Sequence, residues 1–356
     1  MVFILFLLLL SIIIVIHEFG HLIAAKIFGV YCSEFSMGMG PEVMSYQGKE
    51  TKYSLRLVPI GGFVAMAGDT DNALESSTTK ELPFERTLLG IAKWKKIIIM
   101  LAGIIMNFVL AFVLAALVFL YVGNYPKAAG PILDQIMPNT PAEKVGLMAE
   151  DYILEMRYDD LGIKTSPKTF DDVSTFLFGH DSDELTLVVQ RDGQELEFNL
   201  TPEYNAENER YMIGIVARPF ENVEVNIFNC WGISIDYLSY VTRTIFMSLG
   251  QLIKGVGLEN LSGPVGVYQA TESAIEVGMT SYILMMAVLS VNVGIFNALP
   301  LPVLDGGRVV ITLIEAIIGR PLSERAINIL MSVSVFLMIA LMVFATYQDI
   351  ARIFFK

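Results

Sequence analysis

Four long apolar segments set the architecture that the sequence predicts. Residues 2–27, 97–122, 282–299 and 327–347 are rich in Leu, Ile, Val and Met and carry few charges. At about 1.5 Å of rise per helical residue, roughly 20 residues cross the ~30 Å hydrocarbon core of a bilayer. The pattern therefore predicts four transmembrane helices. We interpret the first as a retained helix and not a signal peptide, because no Lys or Arg precedes Lys26 and the apolar stretch is long.

Between these segments, one stretch alternates polar and apolar residues as a strand does, and another repeats its apolar residues at helical spacing. Alternation over residues 51–58, with Gly-rich stretches nearby, predicts short strands or a membrane-associated β-hairpin, although a plain connecting loop fits the pattern equally well. Residues 228–256 place apolar side chains at helical spacing, with Asp236 and Arg243 on the other side. We interpret this stretch as an amphipathic helix on the membrane surface, with a fifth span as the alternative.

The charge is concentrated in one part of the chain. Of 356 residues, 54% are hydrophobic and the mean hydropathy is +0.57, which indicates a membrane protein with a soluble part. Residues 128–225 hold 7 of the 24 Lys and Arg residues and 20 of the 37 Asp and Glu residues, so they account for the whole net charge of −13. This acidic balance predicts a separate solvated domain and excludes nucleic acid as a partner.

The acidic stretch has the pattern of a small α/β domain. Predicted strands cover residues 130–133, 152–156, 185–189 and 196–200, and predicted helices cover 141–145 and 169–178. Residues 191–194, Arg-Asp-Gly-Gln, predict a hairpin turn. The predicted division of the chain is 1–127 (two spans and the β region), 128–222 (the α/β domain), 223–278 (surface helix and loop) and 279–356 (two spans).

Basic residues indicate the orientation. They are frequent in residues 29–96, and Arg308, Arg320 and Arg325 lie between spans three and four, so both loops are expected to be cytoplasmic. With four spans, both termini and the acidic domain are then expected outside the cytoplasm.

The sharpest chemical pattern lies within the first span. His17, Glu18 and His21 form an H-E-x-x-H motif. On a helix the two histidines are one turn apart, so both imidazoles can reach one Zn²⁺, and Glu18 can act as the base toward water at the metal. A chance match or structural histidines would be the alternative, but ionisable side chains inside a span are costly and indicate a functional site.

A catalytic zinc site requires a third protein ligand, for which Asp305 is the strongest candidate. It lies just past the cytoplasmic end of the third span, at the depth expected for His17 and His21. Pro300 precedes it and Gly306 follows it, within a Pro-x-Pro and Gly-Gly context that breaks helix and permits close backbone approach. A turn-capping Asp would be the alternative role.

Other candidate residues are weaker. Glu42, Asp69 and Glu315 are also expected on the cytoplasmic side, but no proline or glycine pattern like that around Asp305 holds them in place. The third histidine, His180, lies in a polar stretch. Asn107, in the middle of the second span, is expected to pack between helices, with a place in the site as the alternative.

Residues 17–21 and 297–307 together closely resemble the two signature motifs of the site-2 protease family, which are intramembrane zinc metalloproteases. Residues 59–63, 261–266 and the Ala102-Gly103 pair with Asn107 also resemble the bacterial branch. The expected fold is therefore an α-helical membrane protein with four transmembrane helices, a membrane-associated β-hairpin region and an inserted extracytoplasmic α/β PDZ-like domain. Residues 135–155 carry the PDZ resemblance, with Glu150 at a position where such domains usually have Gly.

The resemblance implies a site. It assigns His17, His21 and Asp305 as zinc ligands, with Glu18 as general base and proton shuttle. The residues that it implies for substrate binding are Asn297, Pro302, Gly61, Gly62 and Phe63.

The resemblance also implies partners and a place of action. The expected substrates are single-span membrane proteins already trimmed outside, such as an anti-sigma factor, a signal-peptide remnant or a pheromone precursor, cut in a bacterial cell membrane. The PDZ-like domain would act as a size filter or a docking site. The alternative function is a non-catalytic metal-binding membrane adaptor that uses its PDZ module. A zinc transporter is disfavoured, because ligating residues do not recur along several spans.

Overall fold

A computed structural model describes residues 2–69, 82–128, 130–177, 183–205, 210–218, 220–253 and 262–354. His180 and residues 254–261, on which part of the sequence interpretation falls, lie outside the described residues. The chain forms two compact units, one built from Met1–Tyr121 and Ile227–Lys356 and the other from Val122–Asn226.

The first unit begins with two long helices separated by a β-hairpin. Its elements are α1 (Val2–Ile27), β1 (Cys32–Gln47), β2 (Lys52–Met66) and α2 (Lys93–Val122). The hairpin confirms the strand prediction over the plain loop. Both strands bend at glycines with positive φ, Gly38 and Gly40 in β1 and Gly61 in β2, a conformation that glycine adopts without steric cost.

The bend in β2 leaves one of its edges open. Residues 62–66 pair with residues 32–37 of β1. In the described part of the chain, no other strand pairs with the opposite edge of this segment. An edge without a neighbouring strand is a place where an extended chain can be added to the sheet.

The second unit contains the stretch for which the sequence predicts an α/β domain, and it combines short helices and strands. Its elements are β3 (Asn124–Ala128), β4 (Leu133–Ile136), α3 (Pro141–Val145), β5 (Tyr152–Tyr158), β6 (Ile163–Thr165), α4 (Phe170–Leu177), β7 (Leu185–Arg191), β8 (Gln194–Leu200), β9 (Glu203–Asn205), β10 (Arg210–Met212), β11 (Ile215–Ala217) and β12 (Phe220–Glu224). The largest sheet has the order β6-β5-β7-β8. Its core contains the fully buried side chains of Leu133, Ile153, Met156, Leu185 and Leu187.

Local details of this unit confirm most of the sequence pattern. Asp192 and Gly193 both have positive φ, as a two-residue type I′ hairpin turn requires. The strand predicted over residues 130–133 is displaced along the chain: β4 covers Leu133–Ile136, and Ile132 forms only an isolated antiparallel bridge with Tyr152. Glu150 adopts φ 71°, the left-handed conformation for which Gly is the usual residue.

The strands β3 and β12 close the unit at its two ends. They pair in antiparallel register from Asn124↔Glu224 to Ala128↔Phe220. Beyond them, the amide of Val225 donates to the carbonyl of Gly123 at 2.9 Å. The chain therefore enters and leaves this unit at neighbouring points.

The first unit continues with five helices, α5 (Cys230–Ile253), α6 (Pro264–Val277), α7 (Met279–Asn297), α8 (Asp305–Ile318) and α9 (Glu324–Phe354). The apolar side of α5 is not free: Leu238 and Val241 pack in one cluster with Ala111 of α2 and with Ala287 and Val291 of α7. The location of α5 at the membrane surface stays a prediction.

Four helices of the described chain are long and apolar enough to cross a membrane, namely α1, α2, α7 and residues 325–354 of α9. They coincide with the four predicted segments, although α9 extends beyond residues 327–347 at both ends. The helix α5 is not among them.

Candidate active site

Three side chains from opposite ends of the chain meet in the first unit. The Nε2 atoms of His17 and His21 lie 3.0 and 3.1 Å from Oδ2 of Asp305. The two Nε2 atoms lie 3.2 Å from each other. Among the described residues, these three form the one group of His, Cys, Asp or Glu side chains arranged to hold a metal ion.

Small residues let α1 and α2 approach closely at this point. A Cβ atom on Gly103 of α2 would lie 2.5 Å from Nε2 of His21 and 2.8 Å from Cε1 of His17. A Cβ atom on Gly20 of α1 would clash with the carbonyl of Ala102. Glycine at both positions therefore allows the two imidazoles to pack directly against the neighbouring helix.

Asp305 is positioned by a tightly folded loop. The helix α7 ends at Asn297 and α8 starts at Asp305, as the prolines between them predict. Added Cβ atoms on Gly306 and Gly307 would overlap the carbonyls of Ala298 and Leu301. Two glycines are therefore needed for the start of α8 to pack against the loop that follows α7. Asp305 is the first residue of α8, where the helix dipole favours a carboxylate.

The contact of His21 with a carbonyl fixes its tautomer. Its Nδ1 lies 2.8 Å from the carbonyl oxygen of Ile99. A carbonyl can only accept, so Nδ1 carries a hydrogen, and in the neutral imidazole Nε2 then has the lone pair that a metal ion requires.

Asn107 sets the orientation of His17. Its Nδ2 lies 3.3 Å from Nδ1 of His17, while its buried Oδ1 has no hydrogen-bond partner. Amide oxygen and nitrogen are assigned by their partners, and turning the amide by 180° lets Oδ1 accept from a protonated Nδ1. The backbone carbonyl of Asn107 also accepts from Ser290 of α7 at 2.8 Å, so the residue serves the site as well as helix packing.

The donor set fits a zinc ion. Bonds of about 2.0–2.1 Å in a tetrahedron place ligand atoms about 3.3–3.4 Å apart, close to the separations of 3.0, 3.1 and 3.2 Å found here. Oδ2 of Asp305 is buried and forms no hydrogen bond of good geometry. Two imidazole lone pairs and a carboxylate oxygen repel one another unless a cation lies between them.

Glu18 lies beside this group and is held by the hairpin. Its carboxylate accepts a hydrogen bond from the backbone N–H of Val64 in β2. Glu18 and the three candidate ligands line a cavity of about 240 Å³. The other lining residues are Phe63, Val64, Met66, Asp69, Met100, Asn297, Val303, Leu304 and Arg308.

The residues predicted to bind substrate do not all reach this cavity. Asn297 and Phe63 line it. A Cβ atom on Gly62 would lie 3.6 Å from Cγ of Glu18, so Gly62 is adjacent to the Glu18 side chain. Gly61 lies against the side chain of Met39, and Pro302 lies in the loop against Gly307; neither is among the lining residues.

The helices and this donor set define a class of protein, the membrane-embedded metalloproteases. The pattern of peptidase family M50 matches residues 5–341. The chain belongs to this family, the site-2 proteases, and it is a zinc metalloprotease with several membrane-spanning helices.

Relatives cover the chain along nearly its whole length. A protein of Agrobacterium fabrum whose name describes a zinc metalloprotease is 31% identical over 98% of this chain and 95% of its own. The zinc metalloprotease RasP of Oceanobacillus iheyensis is 28% identical over 98% of each chain. The regulator of sigma-W protease RasP of Bacillus subtilis is 27% identical, again over 98% of each.

Proposed function

We propose that this protease hydrolyses peptide bonds within or beside single membrane spans of substrates already trimmed on the outside, in regulated intramembrane proteolysis. The observation that carries the proposal is the convergence of His17, His21 and Asp305 beside Glu18, at a cavity formed in part by helices suited to span a membrane. A cavity between such helices would allow water to reach a peptide bond inside a span.

In this mechanism His17, His21 and Asp305 hold the zinc ion. When bound there, zinc supplies a Lewis acid that polarises the scissile carbonyl and makes water more acidic. Glu18 takes the proton from the attacking water and delivers it to the departing amine. The hydrogen bond from Val64 orients the Glu18 carboxylate for both transfers.

The substrate is presented as an extended strand. A membrane-spanning helix hides its carbonyls in internal hydrogen bonds, so a segment must unwind before it is cut. The open edge of β2 over residues 62–66 can receive that segment by strand addition, with Gly62 and Phe63 next to Glu18. Asn297, which also lines the cavity, contacts the extended substrate. Pro302 shapes the loop between α7 and α8, and Gly61 shapes the bend in β2.

The second unit acts as a PDZ-like module, over residues 128–222, outside the cytoplasm. It filters substrates by size or docks exposed ends, so that only trimmed proteins reach the site. The distribution of Lys and Arg supports this orientation in a bacterial cell membrane. The name of the Bacillus subtilis relative supports an anti-sigma factor or a similar single-span protein as substrate.

The test is cleavage of a model single-span substrate in liposomes by wild-type protein and by Glu18→Gln. The variant is expected to lose at least about 100-fold in cleavage rate while it retains zinc, because a general base contributes 10²–10⁴-fold. Glu42→Gln is the matched control and is expected to cut normally, since Glu42 pairs with Lys52 in the hairpin and is absent from the cavity lining. Normal cleavage by Glu18→Gln would refute the proposal and favour the adaptor function.

A further inference from the structure

An ion pair in the wall of the cavity has no part in the proposed chemistry. Nη2 of Arg308, in α8, donates to Oδ1 of Asp69, which lies just beyond β2. The Asp69 side chain is only 4% exposed and that of Arg308 only 22%. Taking two charges out of water is costly, so a pair this buried beside the site calls for a function.

The Asp69 end of the pair is fixed relative to Glu18. The amide of Asp69 donates to the carbonyl of Met66, the last residue of β2, at 3.1 Å. Ala67, between them, is fully buried, and both its amide and its carbonyl bond to backbone outside the hairpin strands. The same strand carries Val64, whose amide holds the Glu18 carboxylate.

The Arg308 end is fixed relative to Asp305. Arg308 lies in the first turn of α8, three residues after Asp305, and its amide donates to the carbonyl of Leu304 at 3.1 Å. Its own carbonyl accepts from Oγ1 of Thr312 at 2.8 Å. The guanidinium of Arg308 therefore links two parts of the site. One is the first turn of α8, which carries Asp305, and the other is the end of β2, the strand that contacts Glu18.

We propose that Asp69 and Arg308 are positioning residues that set the distance between Glu18 and the zinc ligand Asp305. This inference rests on the proposed function of the site. The helix α8 is also held by Val309, which packs against the apolar cluster that includes Leu22 and Met100. Loss of the ion pair should therefore shift the turn at Asp305 without detaching α8.

The experiment uses the double variant Asp69→Asn/Arg308→Gln, because either single change would remove only one of two opposite charges and would alter the net charge of the cavity wall. Thermal unfolding in detergent, zinc affinity by chelator competition, and kcat and KM on a model span are measured for the full-length protein. We expect a melting temperature close to wild type, a zinc affinity about tenfold weaker, and a kcat about 10–100-fold lower with KM within threefold. Arg308→Lys, which keeps the charge, should recover most of the zinc affinity.

The matched control is Glu42→Gln/Lys52→Gln, which removes an ion pair whose two side chains are each 35% exposed, in the same hairpin. It should leave zinc affinity and kcat unchanged. Wild-type zinc affinity and kcat in the Asp69→Asn/Arg308→Gln protein would overturn the inference. The Glu18→Gln assay separates the two proposals: an inactive Glu18→Gln with a fully active double variant would overturn the positioning role alone.

Discussion

At the residue scale, the orientation of a single amide decides whether His17 can bind a metal. If Oδ1 of Asn107 accepts from Nδ1 of His17, then Nε2 is free to ligate. Asn107→Leu is expected to weaken zinc binding about 10–100-fold, the usual effect of losing a group that orients a ligand. Asn107→Asp retains an acceptor and should bind zinc nearly as wild type does. Zinc affinity by chelator competition is the measurement.

Ser290→Ala serves as the control for helix packing, since it removes the hydrogen bond to the Asn107 backbone and leaves the side chain in place. It should keep zinc affinity within about threefold. If Asn107→Asp binds as poorly as Asn107→Leu, the amide donates to His17 and the proposed tautomer is wrong.

The sequence could predict side chains whose chemistry is unusual for their surroundings, but not those that act through geometry alone. His17, Glu18 and His21 are conspicuous because charged groups rarely occur in a span. For Asn107 the sequence favours helix packing and leaves a place in the site as the alternative, because an amide within a span is compatible with both. Its place at Nδ1 of His17 depends on how α1 and α2 rotate about each other, which the local pattern does not encode.

At the element scale, the close approach of α1 and α2 depends on glycines that carry no chemistry. Gly103→Ala adds a Cβ atom 2.5 Å from Nε2 of His21, and this distance is too short for a non-bonded contact. We expect the variant to fold but to lose most of its zinc, because the imidazoles must rotate away from Asp305. Metal content of the purified protein, measured by atomic emission, is the check.

Gly250→Ala is the matched control, since an added Cβ atom on that α5 residue meets nothing within 4 Å. It should retain full zinc content. Equal zinc content in the Gly103→Ala and wild-type proteins would show that the helix contact does not constrain the ligands.

Elements with strong periodicity were predictable, and their pairings were not. The four spans follow from composition alone, and the hairpin turn at Asp192 and Gly193 follows from its residue types. The doubled pairing of β1 with both halves of β2 arises from bends at glycines such as Gly38 and Gly61, whose positive φ is not visible in the sequence. The packing of α5 on α2 and α7 likewise depends on tertiary contacts.

At the scale of the whole molecule, the second unit can be removed at the paired segments where the chain enters and leaves it. Because β3 pairs with β12 and the chain ends there lie close together, a short Gly-Ser linker from Gly123 to Val225 should replace the unit without straining the first. We expect the shortened protein to cut a single-span substrate with an intact outer domain at least about tenfold faster than wild type does. Cleavage in liposomes measures both proteins against trimmed and intact substrates.

The trimmed substrate is the control, and both proteins should cut it at similar rates if the unit filters by size. Slower cleavage of the trimmed substrate by the shortened protein would instead support docking. Equal discrimination against the intact substrate by both proteins would exclude the filter.

His17 and Asp305 are 288 positions apart, and the contact between them has a consequence for biosynthesis. When only α1 has been synthesised, the chain contains His17, Glu18 and His21 but lacks Asp305, the third candidate ligand. The candidate metal site can therefore be completed only after Asp305 has been synthesised. We expect a chain that stops before this residue to bind zinc weakly and to leave a model substrate uncut.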